Sequence, residues 1–229
     1  MIDGIAEALA GHGLILRGGF AFPPGEAAPS GPSGRPARAV LLVGHAGPPI
    51  WPHFRQWCAA QPADLADPLD GWSRIVIGEV AASFGARAVS PSDRPYLPFQ
   101  DWARRSEGLR PSPLGILMHP EYGLWHAYRG ALLFEDEAAA VEIVAASNRT
   151  SPPAHLCDAC AAKPCLAACP VWAHSAAGFD HRACLSHVRS DAGRPCMTAG
   201  CFDRNACPVG TAYRYPAGMQ AFLMNAFAS

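Results

Sequence analysis

No stretch of this 229-residue chain approaches the ~20 consecutive apolar residues that a bilayer-spanning helix requires. Its opening residues, Met1-Ile2-Asp3-Gly4, place an acid early and no basic segment before an apolar run, unlike a secretory leader. The expectation is therefore a cytoplasmic protein with no membrane partner. Charge is also scarce, with 16% charged residues and a formal net charge of -1, so the chain lacks the basic field that holds a phosphate backbone, and nucleic acid is excluded as a stable partner. A Gly-rich phosphate-binding motif is missing too, since Gly18-Gly19 is too short to form one. Cysteine is almost absent from the first two thirds, where Cys58 stands by itself beside Trp57 and Ala59 as a small buried hydrophobe rather than a nucleophile.

What the chain does contain is apolar residues, at 50%, with 22 glycines and 23 prolines, the composition of a globular protein with many turns. The length suits one substantial core and a smaller second module. Leu14-Ile15-Leu16 and Ala39-Val40-Leu41-Leu42-Val43 are short apolar runs bounded by glycine and proline, which predicts buried strands. Behind Asp67-Pro68, the spacing of Leu69, Trp72, Ile75, Val76 and Val80 predicts a helix over 70–84. A second helix is expected over 98–105, a strand over 129–134 and an Ala-rich helix over 135–146. Pro23 to Pro36 reads as a flexible loop and Asn148 to Pro153 as a connector. The pattern allows α+β or α/β. The last stretch, 217–228, has helical spacing at Met219, Phe222, Leu223 and Phe227 and is expected to pack on the first domain.

After the connector come eight cysteines in 51 residues, Cys157-x2-Cys160-x4-Cys165-x3-Cys169-Pro170 and Cys184-x11-Cys196-x4-Cys201-x5-Cys207-Pro208. In a reducing compartment clustered cysteines read as metal ligands rather than disulfides, and the odd total points the same way. Bacterial ferredoxins use C-x2-C-x2-C-x3-C-P, in which three close thiolates cap one 4Fe-4S cube and the fourth reaches the other cluster. The loops here are longer, but two Cys-Pro steps imply two clusters. By that crossing rule Cys157, Cys160, Cys165 and Cys207 hold one cluster, and Cys169, Cys184, Cys196 and Cys201 the other. A structural zinc site is the rival, since C-x2-C also opens zinc ribbons, although the paired Cys-Pro endings do not fit the usual zinc pairs. His174, His181 and His187 lie among these cysteines and are expected beside the clusters or at the surface, because eight thiolates already complete two cubes.

Residues 116 to 134, Ile-Leu-Met-His-Pro-Glu-Tyr-Gly-Leu-Trp-His-Ala-Tyr-Arg-Gly-Ala-Leu-Leu-Phe, resemble the His-Pro-x-Phe-Gly-x-Trp-x-x-x-Arg-Gly segment of the MMACHC family of cobalamin-processing chaperones. His119, Pro120, Gly123, Trp125, Arg129 and Gly130 fall on that pattern. The whole layout also resembles the epoxyqueuosine reductases and reductive dehalogenases, which join a related cobalamin-binding domain to a two-cluster ferredoxin module. Asp180-His181-Arg182-Ala183-Cys184-Leu185-Ser186 is similar to the segment bearing their isolated fifth cysteine.

The resemblance implies an α+β, nitroreductase-like first domain over 1–148 and a bacterial-ferredoxin-like module over 149–229. It implies a corrinoid reductase in which clusters deliver electrons to cobalt, for cobalamin reduction, upper-ligand removal or reduction of a small substrate. His119, Trp125, Tyr128 and Arg129 would contact the corrin, Asp93 would be a proton donor beside Ser90, and an electron-donor protein such as a flavoprotein reductase would be the partner. The chain departs from both families: it lacks the helical-repeat tail of the queuosine enzymes, and the MMACHC proteins lack the cysteine module. A ferredoxin-type carrier without corrinoid and a flavin-dependent reductase are the alternatives.

Overall fold

The computed structural model describes residues 1–147 and 154–229, so the connector expected at Asn148 to Pro153 lies outside the described residues. The first element, α1 (Ile2–Ala10), escapes the sequence reading because only Ile5 and Leu9 anchor it, one turn apart. β1 (Ile15–Ala21) begins in the run at Leu14–Leu16, and its register on β2 (Ala39–Ala46) slips between Leu16 and Gly19. β2 is buried at every position but the last, as a strand covered on both faces should be. Each fully buried Val or Leu of that run contributes roughly 1.5–3 kcal/mol.

α2 (Ile50–Cys58) is the other element that periodicity misses; Pro52 falls in its first turn, where proline is tolerated, and Ile50 and Phe54 are its buried anchors. α3 (Pro68–Ser83) starts with proline at its first position, as Asp67-Pro68 predicts. Its buried stripe is Leu69, Trp72, Ser73, Val76, Ile77 and Val80, whereas Ile75, expected on that face, is 48% exposed. Ile75 lies six residues past Leu69, about 240° round the helix at ~100° per residue, off the face that the buried stripe shares.

β3 (Arg87–Val89) follows, then α4 (Phe99–Glu107), which ends at Gly108 with φ 66°. Two short strands, β4 (Arg110–Pro111) and β5 (Leu117–Met118), pair with each other. β6 (His126–Phe134) enters the main sheet and α5 (Glu137–Ser147) closes this part. The sheet order is β1-β2-β6-β3, with β1 antiparallel to β2 and β3 antiparallel to β6. The class is α+β. The proline-rich stretch expected to be loose is tied to the end of the sheet: the Glu135 carboxylate accepts from Ser33 N at 2.8 Å and from Arg35 Nε at 3.0 Å.

Beyond the connector the elements are short: α6 (Leu156–Ala159), β7 (His174–Ser175), β8 (Gly178–Phe179), α7 (His181–Val188), α8 (Arg194–Ala199), α9 (Phe202–Ala206) and α10 (Ala217–Ala228). The chain forms two units. One is Met1–Gly108 with the stretch from Ala127 through α5; the other is Leu109–His126 with the chain from Ala154 on. Leu109–His126, which the sequence reading assigns to the first domain, thus groups with the cysteine-rich part. α10 corrects another expectation, because it belongs to the second unit and packs on α8 and α7. Met219 and Gln220 are its buried residues. No helix among the described residues is long and apolar enough to cross a membrane.

The first unit buries a charge network. Arg17, 1% exposed, donates from Nε and Nη2 to the two carboxylate oxygens of Glu107 at 2.9 and 2.7 Å. Its guanidinium lies 4.6 Å from the Tyr128 ring centroid, and the Tyr128 hydroxyl donates to Glu107. Burial, reinforced by the Glu107 carboxylate, holds the Tyr128 phenol well above its usual range against the lowering pull of Arg17.

Candidate metal centres

The eight cysteines fall into two groups of four. Cys157 on α6, Cys160 just past it, Cys165 in a single 3₁₀ turn and Cys207 at the end of α9 line one cavity, with Pro164 and Pro208 at its turns. Cys169, Cys184 on α7, Cys196 on α8 and Cys201 at the start of α9 line another, of about 230 Å³. The chain between Cys201 and Cys207 is a five-residue helix, and its two ends serve different cavities.

Lys163 closes the first cavity. It sits in the left-handed region, φ 38°, which turns its side chain back so that Nζ donates to Cys157 O and Cys160 O, both at 3.1 Å. The wall opposite comes from the segment 109–126, whose Met118 and Leu124 pack with Cys207 and Val209. Here the His119-Pro120-Glu121-Tyr122-Gly123 turn is located. Its ends exchange two backbone hydrogen bonds, His119 N to Gly123 O and the reverse, each 3.0 Å. His119 Nδ1 accepts from Glu121 N and Tyr122 N at 3.1 Å each, and the ring stacks on Tyr122 at 3.9 Å.

Gly123 has φ 58°, and a Cβ there would lie 2.2 Å from Val209 O. Gly210 answers it, since a Cβ on Gly210 would lie 2.3 Å from the Tyr122 carbonyl. The turn therefore rests directly on the loop that follows Cys207. Gly123→Ala is expected to lower stability by about 1–3 kcal/mol, through left-handed backbone and a forced backbone shift, and to make the Cys207 thiol more reactive; chemical denaturation and thiol-alkylation rates check both effects.

Trp125 is fully buried. The Arg204 guanidinium lies 4.7 Å from its ring and 4.6 Å from Tyr215, and donates to Leu124 O. Trp125 Nε1 has no hydrogen-bond partner among the described residues.

In the second cavity the helix bearing Cys184 is capped by Asp180, whose carboxylate accepts from Ala183 N at 2.9 Å. Asp203, with no exposed surface, accepts from Ala168 N at 3.1 Å and pairs with His174 Nδ1 at 2.8 Å, fixing the backbone beside Cys169. Ala173 N donates to Cys169 Sγ at 3.4 Å. His174 and His187 line this cavity with Phe179, Met224 and Phe227, while exposed His181 packs edge-on against Phe227.

Burial, then repulsion from neighbouring cysteines, raises the thiols of Cys157, Cys165, Cys184 and Cys196. Cys184 is pushed up to about 11 by burial and by Cys201, Cys169 and Cys196; Cys157 and Cys165 are raised by burial and by Cys207 beside them. In the unfolded chain the Cys184 thiol ionises from ~8.5, so the stability it contributes is fully present below that pH and is lost as pH climbs towards about 11. Thermal melts of the chain without metal should fall from about pH 8 upward, and Cys184→Ala should flatten that fall. Among the described residues, no three His, Cys, Asp or Glu side chains gather closely enough to hold one metal ion.

The first unit brings two other expected residues together. Asp93 and Arg129 line one cavity of about 140 Å³ with Ser73, Arg74 and Ser90. Asp93 accepts from Arg74 Nε at 3.1 Å and Ser90 N at 2.7 Å, and Arg129 pairs with Asp70 at 3.3 Å. Arg74, which the sequence reading passes over, completes this cavity; it lies on the exposed face of α3, where a charged residue carries no signal. Cys58 ends α2, half-buried, in the first unit.

No protein-family model and no curated protein matches the sequence. Among solved structures, the fold resembles that of a protein described as B12-trafficking. The chain is similar to the C. elegans protein CblC, a homologue of human MMACHC, with TM-score 0.54 and 12% identity over 99% of this chain and 95% of that one. It is also similar to the epoxyqueuosine reductases of Bacillus subtilis, with TM-score 0.46 and 14% identity, and of Streptococcus thermophilus, with TM-score 0.47 and 13% identity, each over 79% of this chain. The chain spans about half the length of these reductases, 51% of each.

Proposed function

We propose that this chain is a cytoplasmic iron-sulfur reductase whose cysteine-rich unit holds two 4Fe-4S clusters and whose first unit serves a corrinoid, the chain delivering electrons to its cobalt. The observation that carries the first half is the sorting of eight thiols into two four-thiol cavities. The donor set fits: each cavity offers four sulfurs, largely apolar walls and proline-bounded turns that aim the thiolates. The paired Cys-Pro endings do not fit the usual zinc pairs. When bound, such clusters supply one-electron storage at potentials reaching ~-700 mV, low enough for cobalt.

The chain's own residues do the holding. Lys163 pins the carbonyls of Cys157 and Cys160, and Asp203 with His174 fixes the strand-like stretch past Cys169. An electron-donor protein of the flavoprotein-reductase class is the proposed source.

The corrinoid half rests on the likeness to a B12-trafficking fold and on the His119 to Gly130 segment. Arg129 and Asp93 would meet an arm of the corrin rather than its ring, because about 140 Å³ falls short of the ~300–1,000 Å³ that larger ligands take. A second reading, an electron carrier without corrinoid, is favoured by the packing of two residues expected on the ring: Trp125 is covered by Arg204, and Tyr128 is engaged with Glu107.

Anaerobic reconstitution with iron and sulfide, followed by cobalamin titration, separates these readings. About eight iron per chain with a saturable change in corrin absorbance supports the full proposal. Iron without a corrin response leaves the carrier, and no iron removes both.

A further inference from the structure

α7 carries Cys184 and, one turn later, His187, and residues three apart share a helix face. Both line the second cysteine cavity. His187 Nε2 is buried and has no hydrogen-bond partner among the described residues. Its neighbours in that cavity differ: His174 is held by Asp203, and Asp203 by Ala168 N as well. A buried polar nitrogen without a partner costs about 1–3 kcal/mol, so such atoms in folded proteins ordinarily face something that satisfies them.

The cavity wall narrows what that can be. It consists of the four cysteines, His174, whose Nδ1 is paired with Asp203, and apolar side chains such as Val188, Phe202, Met224 and Phe227. Apart from the His174 ring, the acceptors these side chains offer are sulfurs. His187 is also firmly placed. Its carbonyl accepts from Ser190 Oγ at 2.7 Å and Ser190 N at 2.9 Å, and a Cβ on Gly193 would lie 2.1 Å from that carbonyl, so the end of α7 is clamped against the next turn.

We infer that His187 donates its Nε2–H to a sulfur of the cluster held by Cys169, Cys184, Cys196 and Cys201, and so acts as a positioning residue that sets that cluster's potential. The inference rests on the cluster reading above. An N–H···S bond disperses negative charge from the core and favours the reduced state, so it raises the potential. Reduction itself needs only one electron from an added reductant such as dithionite, with no bond made or broken at His187.

The test uses the full chain, reconstituted anaerobically and titrated with dithionite under electron paramagnetic resonance. His187→Phe keeps an aromatic ring and removes the donor; His187→Gln keeps an N–H donor. The expected result is a downward shift of one of two midpoints in His187→Phe, the other midpoint unmoved, and recovery towards the wild-type value in His187→Gln. Pulsed resonance on wild-type protein with ¹⁵N-labelled histidine should show weak nitrogen coupling to one cluster.

Two unshifted midpoints in an iron-replete His187→Phe protein would overturn the inference and leave the clusters standing, as would strong coupling of a directly bound nitrogen. If His187→Phe does not load iron, the wild-type coupling decides by itself: weak coupling to one cluster upholds the bond and its absence overturns it. A wild-type chain that takes no iron overturns the cluster reading beneath it, a distinct outcome.

Discussion

Replacing Cys207 by serine is expected to remove about four of about eight iron atoms per chain, and the cluster lost should be the one assigned to Cys157, Cys160 and Cys165. In sequence Cys207 is six residues from Cys201 and forty-two from Cys165, so a partition by proximity gives the opposite result. The geometry favours the crossing, because Cys207 shares a cavity with the early cysteines while Cys201 lines the other. Double variants make the distinction independent of spectral assignment. Cys165→Ser combined with Cys207→Ser should lose no more iron than either change alone, whereas Cys196→Ser combined with Cys207→Ser should lose nearly all. Iron analysis and acid-labile sulfide are sufficient readouts. Additive loss in the first pair would break the assignment.

The second large effect belongs to the first unit. Arg17→Ala should destabilise it by about 3–5 kcal/mol, the usual cost of leaving a buried charge without its partner. Glu107 would keep the Tyr128 hydroxyl but lose two charge-assisted bonds of 2.9 and 2.7 Å. Replacing both members, Arg17→Met with Glu107→Leu, should recover most of that loss, since apolar residues of similar volume often replace a buried pair at little cost. Urea unfolding followed by tryptophan fluorescence gives the numbers. An Arg17→Ala protein within about 1 kcal/mol of wild type would mean that water reaches the pair after all.

The parts legible in the sequence are those where one local signal decides. β2 opens on a run of five apolar residues that could be little but a buried strand, and Asp67-Pro68 announces the start of α3. The proposed partition of the cysteines rests on two Cys-Pro steps and an analogy of spacing, and each of two cavities is lined by four cysteines. Less was legible where tertiary contacts decide. α1 and α2 each rest on two buried anchors, too few for periodicity to register. The segment around His119 reads as part of the first domain because its motif runs without a break into β6, yet its packing is set by Val209 and Gly210, some ninety residues on. Asp93 and Arg129 could be named from sequence, but their common cavity depends on β3 pairing with β6.

That stitch through 109–126 bears on how such a protein arises and is made. A ribosome emits Met118, Leu124 and the His119 turn well before the first clustered cysteine, and Cys207 and Val209 last of that wall's companions. The cavity shared by Cys157, Cys160, Cys165 and Cys207 gains its last wall only after Val209 has emerged, so the proposed first cluster would be inserted after that point in synthesis. A cassette appended at a C-terminus would bring its own walls and could be exchanged between proteins freely. Here one wall is written inside the sequence of the other unit, and swapping either half for a relative's would leave a seam that evolution or an engineer must close again.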